Sequence, residues 1–156
     1  MFITLEGPEG SGKSSQITAL AEYIRQQGYN VFLTREPGGT VIGDQIRNVI
    51  MAMENTKMNP RAETLLFCAA RAQLVEEVIR PHLAQGDIVI SDRYADSTLA
   101  YQGYGHGNDL TTLRRLLDFA TGGLKPDLTL LLDVDSEKGL QRRRNCGGEW
   151  NRLDAY

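Results

Sequence analysis

The sequence predicts an α/β fold: a doubly wound parallel sheet with helices on both faces. Short apolar or β-branched runs alternate with helical stretches along the whole chain, the pattern of crossover-linked parallel strands. The run Asp87 to Asp92 is continuous rather than alternating, as a strand covered on both faces is. The first such run feeds directly into a glycine-rich loop and then a helix.

Phe2-Ile3-Thr4-Leu5-Glu6 is the first strand, rich in β-branched and apolar residues. Gly7-Pro8-Glu9-Gly10-Ser11-Gly12-Lys13-Ser14 follows and fits G-x-x-x-x-G-K-S/T at every fixed position, which makes it a P-loop. Its glycines allow successive N–H groups to point into one concavity, and the following helix adds its partial positive charge. Ser15 opens that helix, whose apolar stripe is Ile17, Leu20, Ala21 and Ile24. Gly7 to Ser15 are therefore the candidate phosphate-binding residues, with Lys13 reaching the β/γ-phosphates and Ser14 placed to ligate Mg²⁺.

Gly28 closes the first helix, and Asn30 to Arg35 is a second strand. Glu36-Pro37-Gly38-Gly39 is a loop by composition, and Thr40 caps a helix carrying Ile42, Ile46, Val49, Ile50 and Met53. Pro60 opens a long helix to about Leu83, with Pro81 in its last turn as a possible kink or stop. Asp87 to Asp92 is the third strand, Tyr94 to about Gly103 reads as helical, and Asp109 to Thr121 is a helix ended by Gly122-Gly123. Leu128 to Asp133 is expected as a fourth buried strand, and Asp135 or Ser136 caps a basic helix containing Arg142, Arg143 and Arg144.

The chain has 156 residues, enough for one domain and short for two. Its net charge of −3 gives no global field for nucleic acid or acidic membranes. No stretch approaches the roughly 20 apolar residues of a transmembrane helix. Met1 leads straight into the first strand, which leaves no room for a signal or transit peptide. Cys68 and Cys146 match neither a disulfide framework nor a metal spacing, and Cys68 reads as a small core residue. A reducing, cytoplasmic location is expected.

Ligands of such a sheet lie at the carboxyl ends of its strands. Glu6, Arg35, Asp92, Arg93 and Asp133 all fall there. Asp92 reads either as the acidic residue that holds Mg²⁺ or as an N-cap for the next helix. Arg35 and Arg93 are permanently charged forks suited to a second phosphate group, or else partners in surface ion pairs.

With these pieces in place, the sequence resembles the thymidylate kinases, which move the γ-phosphoryl group of ATP onto dTMP. The matching motifs are Leu5 to Ser14, Thr34-Arg35-Glu36-Pro37-Gly38-Gly39-Thr40, Glu63 to Gln73, Asp92 to Gly103, Leu131 to Asp135, and Gly148 to Asp154. The resemblance implies the P-loop NTPase fold of nucleoside monophosphate kinases, in-line transfer to dTMP for dTTP synthesis, and Mg²⁺ as cofactor. It implies that Phe67 stacks on thymine, that Arg71 and Gln102 reach the base, and that Ser97 lies near it. Tyr101 resembles the ring under the deoxyribose that leaves no room for a 2′-OH. Glu9 resembles the acidic residue on the acceptor side of the P-loop, and Arg35 with Arg93 the pair that binds the dTMP phosphate.

Gly10 stands where one branch of the family has a P-loop arginine, so the resemblance is to the bacterial-type branch, which carries its arginines on a lid. A lid at about 142 to 154 is expected, with Arg152 as first choice for the arginine on the transferred phosphoryl and Arg142 to Arg144 next. Lys13, Arg93, Arg152 and Glu9 are then the catalytic set. No nucleophile or strong base is needed, so His82 and His106 are not catalysts, and His106 reads as a loop residue. Family members run longer; the resemblance implies that the rest of the lid, a last strand, an adenine loop and a closing helix lie beyond these residues. A homodimer is expected through the helices Thr40 to Met53 and Pro60 to Leu83. Two alternatives stand: a truncated, non-catalytic nucleotide-binding domain, and a deoxynucleoside kinase, against which Arg35 argues.

Overall fold

A computed structural model of the chain describes residues 1–145 and 152–155. In order, β1 (Phe2–Glu6), α1 (Lys13–Gln26), β2 (Val31–Arg35) and α2 (Val41–Met51) are followed by α3 (Pro60–Leu74). A π-helical segment, Val75–Ile79, leads from α3 into α4 (Arg80–Ala84), and β3 (Ile88–Asp92) comes next. α5 (Ala95–Thr98) runs into a second π segment, Leu99–Gly105, before α6 (Leu110–Thr121), β4 (Leu128–Leu131), α7 (Ser136–Asn145) and a 3₁₀ turn, Arg152–Ala155.

The four strands are parallel in the order β2-β3-β1-β4. The chain crosses from β1 to the outer β2, returns to β3, then passes over β1 to β4. Strand order reverses between β1 and β3, so the ligand crevice opens above their carboxyl ends, at Glu6 and Asp92.

Side-chain alternation along β1 divides the core into two layers. Phe2 and Val89 pack with Leu74, Val75, Ile79 and Tyr94 on one face. Ile3, Leu5 and Ile90 pack with Ile17 and Ala21 of α1 on the other. A third cluster joins Cys68 of α3 to Leu113, Leu117 and Ala120 of α6. Phe2 meets Tyr94 edge-on at 5.0 Å, a favoured aromatic geometry.

Thr40 caps α2 by accepting from the Gly43 amide at 2.9 Å, and Asp109 caps α6 by accepting from the Thr112 amide at 2.6 Å. Asp135, rather than Ser136, caps α7 through the Lys138 amide at 3.1 Å. The helical run opened by Pro60 extends to Ala84, about where the sequence ends it; the widened π turn before Pro81 lets the chain continue despite the missing N–H. One sequence expectation is corrected. β4 is not buried: it pairs only with β1 among the described strands, and Leu131 is 69% exposed.

Candidate functional site: a phosphate loop opening into a nucleotide-sized cavity

β1 delivers the loop and α1 receives it. Gly10 and Gly12 have φ of 70° and 94°, a region costly for residues with a Cβ. No side chain caps α1, whose first amides are thus left to an incoming anion. Lys13 lies over the loop and its ammonium donates to the Gly7 and Pro8 carbonyls at 3.0 Å each. Burial, then the charge of Arg93, holds the Lys13 pKa below its ordinary value. Gly7, Pro8 and Ser11 build the loop, while Glu9, Gly10, Gly12, Lys13, Ser14 and Ser15 face a cavity of about 1120 Å³.

Ser14 donates its hydroxyl proton to Asp92 Oδ2 at 3.3 Å, tying the head of α1 to the end of β3. Asp92 Oδ1 is buried with no hydrogen-bond partner. An orphaned carboxylate oxygen beside a serine hydroxyl fits Mg²⁺, which takes one or two protein oxygens and completes its shell with phosphate and water. Among the described residues no cluster of three or more acidic, His or Cys side chains offers an all-protein metal cage. Asp92 does not cap the next helix. Glu6 does, accepting from the Tyr94 amide at 2.8 Å and the Ser97 hydroxyl at 2.5 Å. Burial raises the Glu6 pKa against those hydrogen bonds. The sequence places Glu6 at a strand end but carries no signal of this role.

Arg93 has φ 71°, the left-handed region for a non-glycine residue, held by its amide to Leu5 O at 3.0 Å and its carbonyl to Ser91 Oγ at 2.8 Å. This turn aims its guanidinium across the cavity. It donates to Glu9 at 2.6 Å and Ser97 at 2.9 Å, and lies 5.3 Å from the Tyr101 ring centroid. Arg143 of α7 donates to the other Glu9 oxygen at 2.9 Å. Burial alone would raise the Glu9 pKa; Arg93, Lys13 and Arg143 outweigh it and hold the carboxyl low. Arg35 lines the same cavity, half-exposed and 3.8 Å from Asp44. Arg47, which the sequence reading did not single out, also lines it.

Phe67 and Arg71, one turn apart on α3, both face the cavity. Arg71 is fully buried, donating to Glu36 at 2.7 Å and to Tyr94 O and Thr98 Oγ1 at 3.0 Å each. Its Nη1 has no partner, and neither has Glu36 Oε1. Burial would lower the Arg71 pKa, but Glu36 keeps it raised, so the side chain is a fixed cation. Gln102 is buried, and its amide donates to Glu63 at 2.9 Å.

Arg152 is not brought to the phosphate loop. It is buried beneath α2, donating to Ile50 O at 2.8 Å and Glu63 at 2.6 Å, and it does not line the cavity. The reason is Glu63, a buried carboxylate that needs a permanent cation. Arg142 and Arg143 line the cavity instead. α7 packs so closely that a Cβ on Gly10 would overlap the Gly139 carbonyl, and one on Gly139 would overlap that of Glu9. His106 is more than a loop residue: its Nε2 lies 3.0 Å from Glu63. Cys146 and most of the Gly148 to Asp154 motif lie outside the described residues.

Comparison with known proteins places these features in a family. A family model described as thymidylate kinase matches residues 5–151. A thymidylate kinase of Roseiflexus castenholzii is 56% identical over 99% of this chain and 73% of its own length. One of Herpetosiphon aurantiacus is 61% identical over 92% of this chain and 61% of its own. The crystal structure of thymidylate kinase from Ehrlichia chaffeensis superposes with a TM-score of 0.80 at 42% identity, covering 93% of this chain and 77% of that one.

Proposed function

The chain belongs to the thymidylate kinase family, and from that premise we propose how its residues carry ATP-dependent phosphorylation of dTMP to dTDP. The observation that carries the reading is one continuous cavity lined both by the P-loop and by Phe67, Arg71 and Gln102. Neither a non-catalytic role nor a deoxynucleoside kinase is favoured by relatives of this identity.

The donor phosphates lie in the P-loop, where Lys13 exchanges its two carbonyl partners for phosphate oxygens. Ser14 and Asp92 are the residues that would hold Mg²⁺, which supplies charge neutralisation on the phosphates when bound. Arg35 and Arg93 bind the acceptor phosphate from two strand ends, and Glu9 orients Arg93 toward it. An acceptor oxygen that is already a phosphate oxygen needs no base, so alignment and charge neutralisation suffice. Phe67 stacks on thymine, and the unpartnered Arg71 Nη1 donates to the base edge. Tyr101, fixed beside Arg93, occupies the space of a ribose 2′-OH, with Ser97 next to it. Arg143, already at Glu9, takes the lid role in place of Arg152, which Glu63 holds.

A homodimer belongs to this proposal, supported by the exposed Val41, Ile42, Val49 and Met53 around α2 and Leu65 of α3. So does a cytoplasmic location, supported by the free thiol of Cys68. No described helix is long and apolar enough to cross a membrane. Calorimetric titration tests the acceptor assignment: dTMP is expected to bind at least tenfold more tightly than thymidine. Equal affinities would remove Arg35 and Arg93 from the acceptor phosphate.

A further inference from the structure

We propose that Glu63 is a positioning residue for base selectivity: it fixes the amide of Gln102 so that the pocket accepts an imide base edge and rejects an amidine one. The proposal rests on the dTMP reading above and names the residue that sets its specificity. Glu63 is buried, and donors from three parts of the chain converge on it. Gln102 Nε2 at 2.9 Å and His106 Nε2 at 3.0 Å share one oxygen, and Arg152 Nη2 at 2.6 Å takes the other. An ionised carboxylate only accepts hydrogen bonds, so the Gln102 amide must turn its NH₂ toward Glu63. Its oxygen is then left for the cavity, which Gln102 lines, and no described group donates to it.

The second half of the pattern is Arg71. Its unpartnered Nη1 is a donor that cannot become an acceptor. One fixed donor and one fixed acceptor lining the same cavity match the 4-oxo group and N3–H of thymine. Cytosine presents an amino donor and a bare N3 acceptor, the inverse on both counts. Were Gln102 free to turn over, its NH₂ would satisfy cytosine N3 and half of the discrimination would vanish. Glu63 prevents that turn without touching the base.

Glu63→Gln tests this, because an amide at 63 can donate as well as accept and so releases Gln102. Kd for dTMP and dCMP is read by calorimetry, and KM and kcat by a coupled assay with each acceptor. The ratio of dCMP to dTMP Kd is expected to fall at least tenfold, about 1.4 kcal/mol, with the change in acceptor KM and none in ATP KM. A folded variant that keeps the wild-type ratio overturns the proposal. Because Glu63→Gln removes the carboxylate that Arg152 holds at 2.6 Å, the paired variant Glu63→Gln/Arg152→Met is read the same way if the single one does not fold. A wild-type protein that binds dCMP as well as dTMP would overturn the base reading itself. A selective wild type with an equally selective variant would overturn only the role of Glu63.

Discussion

Replacing Arg71 separates base recognition from phosphate recognition, but the structure dictates which replacement is informative. Arg71→Ala would leave the Glu36 carboxylate buried without its cation. Breaking such a pair costs about 3–5 kcal/mol, a large part of the 5–15 kcal/mol that holds a domain together. Arg71→Lys keeps a charge for Glu36 and removes the planar fork that carries the free Nη1. A hydrogen bond from a charged donor is worth about 1.5–3 kcal/mol, so dTMP should bind roughly 10- to 150-fold more weakly. ATP affinity should be unchanged, since the hydrogen-bond partners of Arg71 are Glu36, Tyr94 and Thr98, outside the P-loop. Separate calorimetric titrations of the two nucleotides, with a thermal melt to certify folding, make the comparison. Equal losses for both nucleotides, or no loss for dTMP in a folded variant, would refute the reasoning.

Arg143→Ala should lower kcat by about two orders of magnitude, with the Kd values for ATP and dTMP little changed, as removal of a transition-state donor does; single-turnover rates decide this, and retained turnover would return the role to another lid arginine. Gly139→Ala should force α7 off the P-loop and lower kcat with it, because its Cβ overlaps the Glu9 carbonyl; a variant with wild-type kinetics would show that contact to be dispensable. Tyr101→Ala should admit ribonucleoside monophosphates, read as a fall in the turnover ratio of dTMP to its ribose counterpart, and an unchanged ratio would make the ring a packing residue. Burial pushes the Glu63 pKa up, but Gln102, Arg152 and His106 together hold it below the ordinary 4.5. Its stabilisation is therefore present above pH 4.5 and lost as pH falls through the lower folded value. Melts of Glu63→Gln should show a shallower acid decline there, and an identical decline would contradict the assignment.

The phosphate end of the site was legible because its information is local. Loop glycines, Lys13 and Ser14 are contiguous, and Asp92 and Arg93 close a strand whose apolar run is plain. The base end is legible only by resemblance, since Phe67 reads as ordinary core without it and nothing in the spacing marks Gln102. The Glu63 hub was not legible at all, because its partners stand 39, 43 and 89 residues away and no spacing rule joins them. The pairing of Arg152 with Glu63 is illegible for the same reason: a basic segment announces cations but not which of them a buried carboxylate will claim. The apolar composition of β4 points to burial because it does not show whether a strand pairs on its second side, and among the described strands only β1 pairs with it. The two π segments follow no propensity pattern; the first precedes Pro81 in a helical run that tertiary packing keeps intact.

The most direct test of the account is a coupled assay of the protein with ATP, Mg²⁺ and four acceptors in parallel: dTMP, dUMP, dCMP and thymidine. The account predicts ADP and dTDP from dTMP, far slower turnover of dCMP, and none of thymidine, which lacks the phosphate that Arg35 and Arg93 are placed to hold. Turnover of thymidine at the rate of dTMP, or ADP formation indifferent to the acceptor, would contradict it.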